Sequence, residues 1–280
     1  MYVNPYGADF LGLLDFDEEG WLFSHDEATV KVVRVPTPNK WTGMHEDIKK
    51  NHGNKLKGLC THYDALGSAS RTAKGFSVKG GRSASTHGVI DRHSSIGSEY
   101  ADVYVLASIH DRTWHAGFDF DHGDEPYTLP NGIITRSPNQ WFVGWDMSNW
   151  GDLRKDTQGN LCAWPSSPAF KVPKSYTYKV FDKAEETNPV RVCHANGKMW
   201  EAYTSEALNS YKALVAALAL ETGMTQDWHV QHSDLSPKRK MDPGPHFPYK
   251  ALLDEVYAEI AKFRIHEFLD FQRSGEKDSL

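Results

Sequence analysis

The sequence predicts an α/β fold, with α+β the nearest alternative: a mixed central β-sheet flanked by helices. Three observations carry this expectation. Short apolar runs bounded by turn residues recur through the first half of the chain. Two segments near the C-terminus carry apolar residues at helical spacing. Strand-like and helix-like segments interleave instead of separating into blocks.

Taken in order, Ala28–Val35 reads as a strand stopped by Pro36 and Pro38. Lys57–His62 is a short apolar approach to a histidine and reads as a central strand. Gly67–Ser85 is rich in Gly, Ser and Lys and reads as a mobile loop. His87–Asp91 and Tyr100–Ala107 read as paired strands, and Trp141–Met147 as another. Residues 148–200 read as a long excursion of loops and short strands. Thr204 is a natural helix cap, followed by apolar positions at Leu208, Tyr211, Leu214, Val215 and Leu218, with Gly223 as the C′ residue. A second helix starts near Pro248, with an apolar face of Leu252, Leu253, Val256, Ile260 and Phe263. The tail from Arg273 to Leu280 should fray.

Composition narrows the function. The chain has 280 residues, is 39% hydrophobic and 12% aromatic, and so can build a substantial core. A net charge of -6 argues against a nucleic-acid partner. No apolar run reaches the length of a membrane span. The N-terminus is acidic and lacks the basic start of a secretory signal, so synthesis in the cytoplasm is expected. Cys60, Cys162 and Cys193 are widely spaced and odd in number, which argues against a disulfide framework. Nothing suggests an obligate partner, and a monomer is expected.

The most informative stretch is residues 229–248, HVQHSDLSPKRKMDPGPHFP. It places His232, Lys240 and Asp242 close together in a proline-rich, basic segment that reads as a rigid loop. Imidazole and carboxylate suit zinc, and the neighbouring lysine supplies a cation where charge would develop on a substrate oxygen. The plain alternative for Lys238, Arg239 and Lys240 is a solvated basic turn.

Residues 232–245, HSDLSPKRKMDPGP, closely resemble the C-terminal motif of the type 2 N-acetylmuramoyl-L-alanine amidases, zinc enzymes that cleave peptidoglycan and are related to the peptidoglycan recognition proteins. The resemblance implies a fold like those proteins, with His232 and Asp242 as zinc ligands and Lys240 assisting catalysis. Leu59–Ala65, LCTHYDA, resembles the family's strand ending in the first metal ligand, which implies His62 as the third. Arg112–Gly117, RTWHAG, is similar to a segment lining the family's cleft and implies substrate-binding roles for Trp114 and His115. The rival for Trp114 is core packing. A His110–His115 metal pair is rejected on spacing. Val143–Met147, VGWDM, resembles a strand that carries a catalytic carboxylate, here Asp146, against the alternative of a locally bonded aspartate. Many members carry a tyrosine where this chain has Thr86, so no tyrosine role is assigned there.

The resemblance runs from about 57 to 265, which implies one zinc amidase catalytic domain over 1–280 with an N-terminal elaboration at 1–56 and no separate wall-binding domain. The implied activity is zinc-dependent hydrolysis of the bond between N-acetylmuramic acid and L-alanine, with peptidoglycan or a muropeptide as partner. A long insertion around Asn149–Gly151 and Trp200–Thr204 resembles phage lysins, which act on the wall after release from the host cytoplasm. The alternatives are a non-catalytic peptidoglycan-binding protein and a cytoplasmic muropeptide-recycling amidase. A zinc peptidase is disfavoured by the lack of an HExxH helix.

Overall fold

The structure, a computed structural model, describes residues 9–42, 58–79, 84–155, 161–163 and 191–275. Its centre is a six-stranded mixed sheet. The strands are β3 (Val32–Arg34), β4 (Gly58–Tyr63), β5 (Gly88–Ile90), β6 (Val103–Val105), β9 (Phe142–Met147) and β14 (His229–Gln231), in the order β14-β4-β9-β5-β6-β3. The pairs β14/β4, β4/β9, β9/β5 and β6/β3 are parallel, and β5/β6 is antiparallel. All six residues of β4 and of β9 are buried, as expected of strands covered on both faces.

Period-two alternation decides what each face holds. Leu59, Val143, Trp145 and Met147 join the largest core cluster, together with the helix α2 (Ser205–Thr222) and the start of α4 (Tyr249–Gly275). On this face the Tyr211 hydroxyl of α2 lies 2.8 Å from Thr61 Oγ1. The same alternation turns Cys60, His62, Gly144 and Asp146 to the opposite face. Helix α1 (Ala69–Ser77) packs on that face through Ala69, Ala73 and Phe76, against Val89 and Leu106.

The sequence placed a loop at 67–85, and α1 corrects it. The glycines and serines conceal an apolar stripe at helical spacing, and Thr72 anchors the stripe by donating to Asp64 Oδ2 at 2.7 Å. Helix α2 matches its expected bounds: Thr204 Oγ1 accepts from Ala207 N–H at 3.2 Å, and Gly223 ends the helix with φ +69°. The expected strand at 28–35 shrinks to β3. Asp26 captures the preceding residues in a turn, accepting from Ala28 N–H and the Thr29 hydroxyl.

The expected elaboration is tied into the core where it is described. The hairpin β1 (Leu14–Phe16) and β2 (Leu22–Ser24), with Phe10 and Leu11, is buried in the largest cluster, and β3 is an edge strand of the main sheet. Two smaller sheets complete the described residues. One is the hairpin β7 (Tyr127–Thr128) and β8 (Ile134–Thr135). The other is antiparallel, of order β11-β10-β13-β12, from β10 (Asp152–Lys155), β11 (Leu161–Ala163), β12 (Val192–Ala195) and β13 (Lys198–Glu201). Its β12/β13 turn is Asn196-Gly197, both with positive φ. Residues 1–8, 43–57 and 276–280 lie outside the described residues, with most of the expected excursion; of the tail expected to fray from Arg273, only residues to Gly275 are described, and they are helical. No helix among the described residues is long and apolar enough to cross a membrane.

One buried histidine makes the fold acid-sensitive. His229 in β14 is 6% exposed, and its Nε2 lies 2.8 Å from the Tyr257 hydroxyl. That hydroxyl donates to Met224 O, so it accepts from His229. Burial lowers the His229 pKa to about 3. The unfolded chain therefore binds a proton below pH ~6.5 that the folded chain refuses, and stability falls as pH drops from there toward 3. At pH 5 this one residue costs about 2 kcal/mol. Denaturant unfolding of wild type and His229→Gln at pH 7 and pH 5 checks this: the variant should lose about 2 kcal/mol less on acidification. Equal losses would contradict it.

Candidate metal centre and cleft

The parallel pairing of β14 with β4 brings two histidines together. Gln231 aligns with Thr61, so the next residue of each strand, His232 and His62, emerges at the same edge of the sheet. The expected rigid loop after β14 begins instead as one turn of helix, α3 (His232–Leu235), because Gln231 and Asp234 form a reciprocal capping box. The chain then turns through Ser236–Lys240, with Lys240 N–H on Ser236 O at 2.8 Å. It returns so that Ser233 N–H reaches Asp242 O at 3.0 Å. The Asp242–Pro243 peptide bond is cis.

Three side-chain atoms converge as a result. His62 Nδ1 is 2.9 Å from His232 Nδ1 and 3.1 Å from Asp242 Oδ2, and His232 Nδ1 is 2.8 Å from the same carboxylate oxygen. All three residues are buried. Donors bound to zinc at about 2.0–2.2 Å in a tetrahedral array stand roughly 3.4 Å apart, so these atoms need only part slightly to hold such an ion. Two nitrogens and a carboxylate oxygen are also the donor set zinc favours.

The surrounding hydrogen bonds fix which nitrogen faces the trio. His115 Nε2 lies 2.9 Å from Phe142 O, a carbonyl that can only accept, so this nitrogen carries the proton. His115 Nδ1 must then accept from His62 Nε2–H at 3.0 Å. When neutral, His62 is left with its Nδ1 lone pair toward His232 and Asp242. The His115 ring fits because residue 144 is glycine: a Cβ there would sit 2.2 Å from His115 Cγ. Asn139 Oδ1 holds the segment by accepting from the backbone of His115 and Ala116. A second donor group, Cys60, His62 and His115, is also close, but the imidazole hydrogen bond occupies its nitrogens and burial raises the Cys60 thiol.

The electrostatics favour one positive charge among the three donors. Burial opposes charge on His62, but its hydrogen bond to the Asp242 carboxylate and the nearby Asp146 carboxylate outweigh it and raise His62 well above its ordinary range. Burial would raise Asp242, yet His232 and His62 hold it well below the carboxylate range. Burial lowers His232 to about 4, leaving it neutral at pH 7.

The trio sits in a cleft of roughly 280 Å³ whose lining includes Trp114, Asp146 and Lys240. Asp146 pairs in register with His62 across β4/β9. Burial raises it to about 6; His62 opposes the rise, while the carboxylates of Asp64 and Asp242 add to it. Lys240 is half-buried, and its charge adds to the forces holding His232 neutral. Its ammonium has no ion-pair partner among the described residues. Trp114 is 37% exposed, with the Arg112 guanidinium 4.5 Å from its ring centroid.

All seven residues singled out from the sequence therefore line one cleft. His115 stands apart from its expected substrate role, because both its ring nitrogens are engaged within the protein. Sequence reasoning missed its bond to His62, since RTWHAG is irregular backbone whose side-chain directions follow no period. His87 is fully buried scaffolding: Nε2 donates to Asp111 O, and Nδ1 accepts from Gly144 N–H.

Residues 44–245, more than half of the chain, match the model of a family described as N-acetylmuramoyl-L-alanine amidase. The match begins and ends earlier than the 57–265 expected from the sequence. No curated protein matches significantly. Among solved structures the chain is similar to AmpDh3 from Pseudomonas aeruginosa in complex with anhydromuramic pentapeptide, at 23% identity and a TM-score of 0.43, over 72% of this chain and 59% of that one. It is similar to AmiD from E. coli in complex with anhydro-N-acetylmuramic acid-L-Ala-D-γ-Glu-L-Lys, at 16% identity and 0.43, over 86% and 64%. It is also similar to a mutant endolysin from Bacillus subtilis, at 14% identity and 0.37, over 84% and 99%. The chain thus spans about three fifths of the first two of these proteins. By the match over 44–245, this chain belongs to the N-acetylmuramoyl-L-alanine amidase family.

Proposed function

We propose that the chain hydrolyses the amide between the lactyl group of N-acetylmuramic acid and L-alanine in peptidoglycan, with zinc held by His62 Nδ1, His232 Nδ1 and Asp242 Oδ2. The observation that carries this reading is the convergence of those three lone-pair donors in the cleft that also holds Asp146 and Lys240. Zinc with three protein ligands and an open position acts as a Lewis acid that can bring the pKa of a water to about 7.

The remaining chemistry falls to the protein. An amide resists water because the attacking oxygen must lose a proton and the leaving nitrogen must gain one. Asp146, with a pKa of about 6, is ionised at pH 7 yet basic enough to take the first proton and return it to the departing amine. The Lys240 ammonium offsets negative charge on the carbonyl oxygen in the transition state, a contribution of roughly 3–4 kcal/mol for one well-placed donor. Trp114 offers a flat face to the substrate. His115 is a positioning residue that fixes the tautomer of His62.

Four outcomes test these roles. His62→Ala, His232→Ala and Asp242→Ala should each lose zinc by elemental analysis. Lys240→Ala should keep a full zinc complement and lose about 10²–10³ in kcat for muropeptide release; wild-type turnover in Lys240→Ala would remove it from the chemistry. Asp146 works as a base only when ionised, so wild-type kcat/KM should fall as pH drops below about 6. Asp146→Asn should lower the rate and abolish that acid limb, and a variant retaining both places the base elsewhere. His115→Ala should weaken zinc binding by about 10- to 100-fold in a chelator competition. Unchanged affinity would show that the His62 tautomer needs no support.

A further inference from the structure

Trp41 lies before the span matched by the family and has no part in the chemistry above, yet it is fixed beside the cleft. Its backbone N–H donates to Arg112 O at 2.9 Å, and Arg112 N–H donates back to Trp41 O at 3.2 Å. Its neighbours are fastened to the same wall: Lys40 pairs with Asp111, and the Ser85 hydroxyl donates to Asn39 O while accepting from Trp114 N–H at 3.0 Å. The Arg112 guanidinium lies 5.7 Å from the Trp41 ring centroid and 4.5 Å from that of Trp114, and donates to Ser137 Oγ at 2.8 Å. Arg112 itself is buried, whereas Trp41 is 45% exposed and Trp114 37% exposed. One cation thus holds two indoles that both face solvent. Trp114 lines the cleft, and Trp41 lies outside its lining, joined to Trp114 through Arg112.

The geometry points to a second sugar subsite: Trp41 and Trp114 form a ledge that takes successive pyranose rings of a polymeric glycan strand, so that the chain prefers wall polymer to free muramoyl peptide. This inference rests on the amidase reading. The apolar C–H face of a pyranose ring stacks on an indole, and both indoles lie within 5.7 Å of one guanidinium carbon, close enough for neighbouring sugars of one strand. Charge selects glycan over peptide. Arg112 is buried and Lys40 is paired with Asp111, so the ledge offers uncharged, exposed indole surface to a ligand, whereas a peptide stem carries ionised groups that call for countercharges.

The test uses the full-length, zinc-loaded chain, with co-sedimentation on purified peptidoglycan sacculi measured beside hydrolysis of a soluble muramoyl-peptide monomer. Trp41→Ala should weaken sedimentation by about 3- to 10-fold, the worth of one aromatic stack, and leave monomer kcat/KM unchanged. Trp41→Phe should recover most of the binding. Unchanged sedimentation of Trp41→Ala, or equal losses on polymer and monomer, would overturn the ledge, the second by making Trp41 merely structural. Sedimentation reads the ledge without catalysis. A wild-type chain that binds sacculi but cleaves neither substrate would therefore refute the amidase reading, while the Trp41 comparison would still decide the ledge.

Discussion

Two imidazole nitrogens and a carboxylate oxygen, each within 3.1 Å of the others and buried, need a shared proton or a cation among them. The rest of the structure is arranged so that this trio forms. Parallel pairing of β14 with β4 fixes the spacing of the two histidines. The Ser233 bond to Asp242 O closes the loop that returns the carboxylate. The shifts of His62, His232 and Asp242 follow from the same crowding: burial keeps one imidazole neutral while the carboxylate stays ionised beside the other.

Behind the trio runs a single chain of hydrogen bonds from Phe142 O through His115 to His62. It depends on residue 144 lacking a side chain, and Gly144 is held in turn by His87 and Thr86. The central sheet thus does two jobs with alternate residues. Leu59, Thr61, Val143 and Trp145 anchor it to α2 and the core, while His62 and Asp146 line the cleft and Gly144 makes room for the His115 ring. A shift of one residue in the β4/β9 register would exchange these faces and lose the site.

Much of this was legible in the sequence where a local signal carried it. The Thr204 cap and Gly223 terminator bounded α2, and the short, mainly apolar runs of β4 and β9 marked strands. The helix α1 was hidden by the glycines and serines around it, since its apolar stripe is short and gains its stability from Val89 and Leu106, which are distant in sequence. The Asn196-Gly197 hairpin was legible but overlooked within a stretch of low periodicity. The convergence of His62, His232 and Asp242 could be expected from motifs, whereas the direction of His115 could not, because it is set by Phe142 O and Gly144 from another strand. The bridge from Trp41 to Arg112 likewise has no local signature.

The most direct test of the cation site is a crystal structure of the zinc-loaded protein with anomalous diffraction collected on either side of the zinc edge. The account predicts one anomalous peak about 2.0–2.2 Å from His62 Nδ1, His232 Nδ1 and an oxygen of Asp242, with His115 still bonded to His62 Nε2. A zinc peak bound through His62 Nε2, or one that leaves any of the three residues uncoordinated, would contradict it.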